Sequence, residues 1–354
     1  MGLRVVFDAR VLARELPLTG IPRYLLRLLE ALGDHPDMER AVLVTDRELV
    51  PAAYNLGNVE ILPRGVAWQQ RILTGWLRRH RERFDLLHNP AYATPFIHVL
   101  PTVTTVFDLC FKRYPALVKP EVRQHLRRSL WVTSQRSGRI LVPTEDMRQE
   151  MVLFYPHSEA RLRVTPLAGG LGSTPPEEIA GIQQPYFLWV GTRGPRKNLG
   201  PAIEAMKSFP NAGMVIVGPR DGTAQDEHLI EDAPGVTYTG FVSEGQLLWL
   251  YQHAVALIFS SLYEGFGMPV VEAMQHGCPV VCGAVPGVRE VAGQAGIFVD
   301  VATAESLANG MRRAVDEDWR ERVRLRGEQY SWANAADATV QVYEDLMGRD
   351  IDST

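Results

Sequence analysis

The sequence predicts an α/β protein built from two doubly wound, Rossmann-like parallel-sheet domains, and three observations carry that prediction. Short apolar runs alternate with helical patterns twice along the chain, as parallel strands covered by helices require. A Gly- and Pro-rich stretch without periodicity, PLAGGLGSTPPEEIAGIQQP at 166–185, separates the two series. The length of 354 residues suits two ordinary domains better than one large core. The expected boundaries are 1–166 for the first domain, 167–184 for a linker and 185–334 for the second domain, with a last helix at about 335–354.

The first series opens with the strand-like RVVFDAR (4–10). The loop ELPLTGIP follows, then a helical pattern from Arg23 to Leu32, closed by Gly33. AVLVT (41–45) reads as the next strand, followed by Val59–Leu62, Leu86–His88, Thr102–Val106 and Ile140–Pro143. In the second series the strand candidates are YFLWVG (186–191), GMVIVG (213–218), VTYTG (236–240), AVALIFS (254–260) and CPVVCG (278–283). Ser331–Met347 reads as one amphipathic helix with a serine start signal. Open parallel sheets bind ligands beyond the carboxyl ends of their strands, so the strand-to-helix loops are where chemistry is expected.

Composition narrows the function classes. With 46% apolar and 22% charged residues the chain is ordinary globular protein. Cys110, Cys278 and Cys282 are too few for a disulfide framework, and no second Cys/His pair completes a zinc site around Cys278 and Cys282. They read as small buried residues of a reducing cytoplasm. The chain begins with a charged strand rather than a signal peptide, and no apolar run approaches the roughly 20 residues of a membrane span. Residues 1–165 carry a net charge of +7 and the remainder −11, so the halves are expected to meet different partners. No recognition motif accompanies the basic half, which argues against nucleic acid. Asp316-Glu317-Asp318 lies in a charged helical stretch far from any strand end and reads as a solvated face rather than a metal motif. His88 ends a strand, where a ligand-facing role and a structural one are both open.

Two loops of the acidic half carry the chemistry. YEGFGMPVVEAM (263–274) follows the strand AVALIFS. Pro269 suits a first helical position and Gly277 a C-cap, which places Glu272 in the first turn or so of a helix and Glu264 in the loop before it. Gly265 and Gly267 permit close backbone approach, and a helix start offers free N–H groups to an anion. Carboxylates beside a phosphate-friendly backbone need other partners, and sugar hydroxyls are the natural ones. A helix-dipole role for Glu272, worth roughly 0.3–1 kcal/mol, explains neither Glu264 nor the glycines. The second loop, GTRGPRKNL (191–199), places Arg196 and Lys197 side by side after a strand, a fork and a point charge suited to phosphate oxygens. Together the loops point to a nucleotide sugar.

YEGFGMPVVEAM followed by GCPVV closely resembles the E-x7-E signature of the group 1 retaining glycosyltransferases of GT-B fold, and GTRGPRKNL resembles that family's phosphate-clamping loop. FDARVLARELPLTGIPRYLLRLLEAL is similar to its first strand, glycine loop and helix, in the branch that holds bacterial mannosyltransferases of polysaccharide assembly. LLHNPAYATP, TTVFDLCFKRYP, FVSEGQLLWLYQHA and SWANAADATVQVYEDL also fit, so the resemblance spans nearly the whole chain. It implies two Rossmann-like domains facing across a cleft, with the last helix returning to the first. Glu272 would take the ribose hydroxyls and Glu264 those of the donor sugar. Arg196 and Lys197 would clamp the diphosphate, with Gly191 at the head of their loop. The backbone of Gly265, Phe266, Gly267 and Met268 would touch sugar and phosphates. Gly20 would approach the phosphates from the basic half, and Phe241 and Val242 would lie near the base. Asp108 joins Arg196, Lys197 and Glu264 as a catalytic candidate.

The resemblance further implies a hexose, mannose-like, taken from a GDP- or UDP-sugar with retention and without metal or cofactor. The acceptor would be a glycan or a polyprenyl-diphosphate-linked sugar. Two departures stand out: Phe107 replaces the family's usual His before Asp108, and Gly20-Ile21-Pro22 replaces a G-x-G loop. The loss of that His keeps a degenerate nucleotide-sugar-binding protein as an alternative, and a sugar-nucleotide epimerase of the same fold is another. Residues 67–84 and 119–136 place arginines beside apolar residues at helical spacing. Two readings are open for them: amphipathic helices covering a sheet, or a basic face on anionic lipid at the inner side of the membrane.

Overall fold

A computed structural model describes residues 2–15, 18–172, 174–219 and 233–348. Leu16 and Pro17 of the first expected loop, and positions 349–354 of the expected last helix, lie outside the described residues. The chain forms two compact units, Met1–Leu167 with Ser331–Thr354, and Ala168–Tyr330.

In unit 1 the strands are β1 (Leu3–Asp8), β2 (Met38–Thr45), β3 (Asn58–Ile61), β4 (Leu86–Asn89), β5 (Thr102–Thr105), β6 (Arg139–Val142) and β7 (Leu162–Val164). They pair in the order β3-β2-β1-β4-β5-β6-β7, all parallel. β4 and β5 are buried along their whole length, which is why they appear in the sequence as unbroken runs rather than alternations. Trp68, Leu73, Trp76, Leu77 and Phe84 pack on Val6, Val42, Val44 and Leu87 of the sheet. The apolar positions of 67–84 are therefore core, while Arg71, Arg78, Arg79, Arg81 and Arg83 stay exposed.

The helix Trp332–Met347, capped by the Ser331 hydroxyl on the Asn334 N–H, belongs to unit 1. Asp345 pairs with Arg139 at 2.9 Å and Arg163 at 3.0 Å. Deeper in, His88 settles as a structural residue: its Nδ1 meets the Tyr343 hydroxyl at 2.5 Å and its Nε2 the Thr105 hydroxyl at 2.9 Å. Thr105 in turn meets Tyr24 of the first helix at 3.1 Å. Burial pushes the His88 imidazole down to about 3. The native ring is thus neutral, while the unfolded chain binds a proton below about 6.5. The stability it contributes is complete above that pH and is lost as pH falls from about 6.5 toward 3, by up to about 1.4 kcal/mol per pH unit. Denaturant midpoints at pH 7.5 and 5.5 are expected to differ for the wild type and to converge in His88→Gln; an equal gap in both would remove His88 as the cause.

Unit 2 contains β8 (Tyr186–Val190), β9 (Gly213–Val217), β10 (Val236–Gly240), β11 (Leu257–Phe259), β12 (Val280–Gly283) and β13 (Ile297–Val299). Their order is β10-β9-β8-β11-β12-β13, again all parallel. β11 is shorter than expected because Ala254 still caps the preceding helix. β12 starts only at Val280 because the Cys278 N–H closes the helix before it on Ala273. Strand order reverses between β1 and β4 in unit 1 and between β8 and β11 in unit 2. The loops at such a reversal diverge and leave a crevice at the carboxyl edge.

Candidate active site

The loops flanking the reversal in unit 2 are the two the sequence singles out. After β8 the chain turns at Gly191, whose carbonyl oxygen would lie 1.9 Å from any Cβ at Gly218. Pro195–Lys197 forms a single 3-10 turn and Asn198 follows in the left-handed region at φ 51°. Asn198 Nδ2 donates to the Val301 carbonyl at 2.7 Å. The Ser260 hydroxyl donates to the Lys197 carbonyl at 2.8 Å, and the Leu262 N–H donates to the Arg196 carbonyl at 2.9 Å. The loop backbone is thus fixed at the end of β11, and its cations are aimed rather than free to swing.

They are aimed at Glu264. Lys197 Nζ lies 2.6 Å from Glu264 Oε1 and Arg196 Nη1 lies 2.7 Å from Glu264 Oε2. Arg196 Nη1 also donates to the Tyr263 carbonyl at 2.8 Å. Burial would push the Glu264 carboxyl up, but Lys197 and then Arg196 overcome it and hold it down at about 2. The carboxylate is therefore ionised throughout the neutral range, and the cluster of two cations and one anion keeps one positive charge for an incoming anion.

Beyond Glu264 the chain runs through Gly265 and Phe266 to Gly267, which caps the helix Met268–Gln275 at φ 95° with Pro269 in its first turn. The Phe266 ring is buried edge-on to Tyr330 at 5.7 Å, so its contribution to a ligand is its backbone. Gly287 was not anticipated. A Cβ there would fall 2.4 Å from the Gly265 carbonyl carbon and 2.7 Å from the Glu264 oxygen, so only glycine lets the next helix support this loop.

Glu272 departs from its expected position. The helix begins at Met268, and its first turn holds no acidic residue. Glu272 sits one turn further in, 2% exposed, too deep for the dipole account. Its Oε1 accepts the Gly170 N–H and its Oε2 the Tyr251 hydroxyl, each at 2.9 Å. The stretch expected as a linker supplies the first of these contacts. Ala168–Gly170 are buried in unit 2, and Gly169 has no room for a side chain because Gln275 Oε1 would lie 2.2 Å from its Cβ. The Gly172 N–H donates to Glu244 at 3.1 Å. A clue was present in the sequence: three glycines in four residues, GGLG, just before a domain rich in strand-end loops. Phe241, by contrast, is 59% exposed after the edge strand β10, with Val242 half-buried beside it, and β9 separates that edge from β8. An exposed ring there is available for stacking on a base.

In unit 1 Gly20 lies at the reversal of strand order, and Asp108 lies one strand beyond it, after β5. Gly20 follows β1 at φ 49° and caps the helix Ile21–Gly33, with open space where a Cβ would stand. Asp108 follows β5, and its Oδ1 accepts the Cys110 N–H at 3.0 Å. Phe107 packs edge-on against Tyr24 at 4.8 Å between ring centroids, with Tyr92 at 6.3 Å. Asn89 closes β4 on this edge, 1% exposed, and among the described residues neither its side-chain oxygen nor its nitrogen has a hydrogen-bond partner. Among the described residues no group of three His, Cys, Asp or Glu is placed to hold a metal ion, and no helix is long and apolar enough to cross a membrane.

Two parallel-sheet units with their loops at the strand-order reversals make this a GT-B fold. The chain is similar over 98% of its length, at TM-score 0.76 and 19% identity, to the whole of a sucrose-phosphate synthase from Thermosynechococcus elongatus. Over 97% of its length, at TM-score 0.71 and 17% identity, it is similar to the whole of WaaG, a glycosyltransferase involved in lipopolysaccharide biosynthesis. The sequence comparisons point to the same kind of enzyme. Residues 177–332 match the glycosyl transferases group 1, and O-antigen chain mannosyltransferase B of Escherichia coli is 27% identical over 97% of this chain and its own full length. Residues 177–332 form a group 1 glycosyltransferase domain.

Proposed function

We propose that this protein is a retaining, metal-independent hexosyltransferase. It moves a mannose-like sugar from a nucleoside diphosphate sugar to a glycan or polyprenyl-diphosphate-linked acceptor in cell-surface polysaccharide synthesis. The observation that carries the reading is the Glu264, Arg196 and Lys197 cluster at the strand-order reversal of unit 2. The diphosphate takes over Arg196 and Lys197, and Glu264, released from part of that pairing, accepts hydroxyls of the sugar. As the bond from the anomeric carbon to the phosphate oxygen breaks, its electron pair goes to the diphosphate. Fixed cations stabilise that charge more in the transition state than in the ground state. The acceptor hydroxyl then attacks the anomeric carbon from the face the diphosphate leaves and passes its proton to the departing phosphate oxygen. Glu272, its carboxylate oriented by the Gly170 N–H and the Tyr251 hydroxyl, accepts the ribose hydroxyls.

The mannose assignment draws on the name of the E. coli relative. The basic unit 1 suits an anionic acceptor at the inner face of the membrane. Melting temperatures with GDP, UDP, ADP and dTDP test the donor: a cognate nucleotide at about 100 times its Kd adds about 2.7 kcal/mol to unit 2 stability. Four flat responses would overturn the nucleotide-sugar reading. A binding-only protein is the second reading, favoured by Phe107, whose ring is packed on Tyr24 where an imidazole is the family's usual residue. Donor hydrolysis separates the two, since a binding-only protein shows the thermal shift and no turnover.

A further inference from the structure

The helix Pro120–Arg136 of unit 1 holds Arg123, Arg127 and Trp131 at intervals of four, one face of a helix, with Arg128 beside them. Glu121 is its one acidic residue. Like charges four apart repel, and Glu121, which lines the same groove, sets one carboxylate against Arg123, Arg127 and Arg128. These side chains line a groove of about 880 Å³ whose opposite wall carries Lys112 and Tyr155. Trp131 is 54% exposed there.

The sharpest feature is Tyr155. It is 4% exposed, yet among the described residues its hydroxyl has no hydrogen-bond partner. Lys112 Nζ lies 4.9 Å from the Tyr155 ring centroid. Burial pushes the Tyr155 phenol up to about 12, against the pull of Arg127, so it remains a neutral O–H donor. Burial, and then Arg127, hold the Lys112 ammonium below its ordinary value. An orphan donor and crowded cations facing one groove are both relieved by the same thing, an anion with several acceptor oxygens.

We propose that this groove binds the phosphate or diphosphate group of a ligand, with Tyr155, Lys112 and Arg127 on its oxygens and Trp131 against an adjoining apolar portion. The site lies wholly within unit 1 and stands whether or not sugar transfer is observed. Titration calorimetry with inorganic pyrophosphate tests the soluble source, and flotation with phosphatidylcholine vesicles, with and without phosphatidylglycerol, tests the lipid one. Tyr155→Phe removes only the hydroxyl and is expected to weaken binding about tenfold. Arg127→Ala is expected to weaken it at least as much. Lys197→Ala, in the other unit, is expected to leave this binding in place. Pyrophosphate binding sensitive to Tyr155→Phe identifies a free phosphate ligand, and sensitive binding to anionic vesicles alone identifies a lipid headgroup. Absence of binding in both arms, or binding that both unit 1 variants leave unchanged, overturns the proposal.

Discussion

Lys197→Ala is expected to lower kcat for donor turnover by about 10²- to 10³-fold, the usual loss when one preorganised charge-stabilising group is removed. Two separable effects underlie that number. Lys197 is the largest of the influences that hold Glu264 ionised against its burial, so its removal also strains the resting site. A nearly buried carboxylate that loses one of two partners destabilises the fold, here by about 1–3 kcal/mol because Arg196 remains at 2.7 Å. The double variant Lys197→Ala/Glu264→Gln removes the unbalanced charge. It is expected to recover most of the stability and none of the activity. Recovery of both would make Lys197 a structural partner of Glu264 and nothing more. The sign of the pH dependence follows from the same cluster. With Glu264 held at about 2, its stabilising contribution is complete above the ordinary carboxylate range and is lost only as pH falls through that range toward 2.

Glu272→Ala is expected to cost about 2–5 kcal/mol and to abolish saturable donor binding. The stability loss has a specific origin: truncation removes the acceptor that the Gly170 N–H and the Tyr251 hydroxyl each meet at 2.9 Å and opens a gap in a buried site. Tyr251→Phe removes one of those bonds without stranding a carboxylate, so it is expected to cost only about 1 kcal/mol and to leave donor KM within a few fold. The contrast between the two assigns Glu272 a ligand as well as a structural role. Glu272→Ala with unaltered donor KM, measured where the variant remains folded, would limit it to holding the Ala168–Gly172 segment in place.

These two predictions rest on contacts of different legibility. The strand runs of both sheets were readable because buried parallel strands are continuous apolar segments of four to eight residues. β7 and β13 were not, because three-residue edge strands such as Leu162–Val164 and Ile297–Val299 carry too little pattern to count. In the site, Arg196, Lys197, Glu264 and Glu272 were legible as residues, since each sits in a strand-end loop or helix start that local spacing reveals. What held them was not. Glu264 meets Lys197 across 67 positions of chain, and Gly170 meets Glu272 across 102, separations that no local period encodes. The Ala168–Gly172 stretch showed only the signature of a loop, and that signature does not say what the loop packs against. Gly287 was invisible for the same reason, because the crowding that demands it comes from the backbone of Glu264 and Gly265.

The central claim is that the loops after β8 and β11 hold the donor, and a crystal structure of the protein with the nucleoside diphosphate that raises its melting temperature tests it most directly. The diphosphate oxygens are predicted within about 3 Å of Arg196 and Lys197, and the ribose hydroxyls within about 3 Å of the Glu272 carboxylate. A nucleotide bound elsewhere, with the Glu264 cluster still closed on itself, would contradict the account.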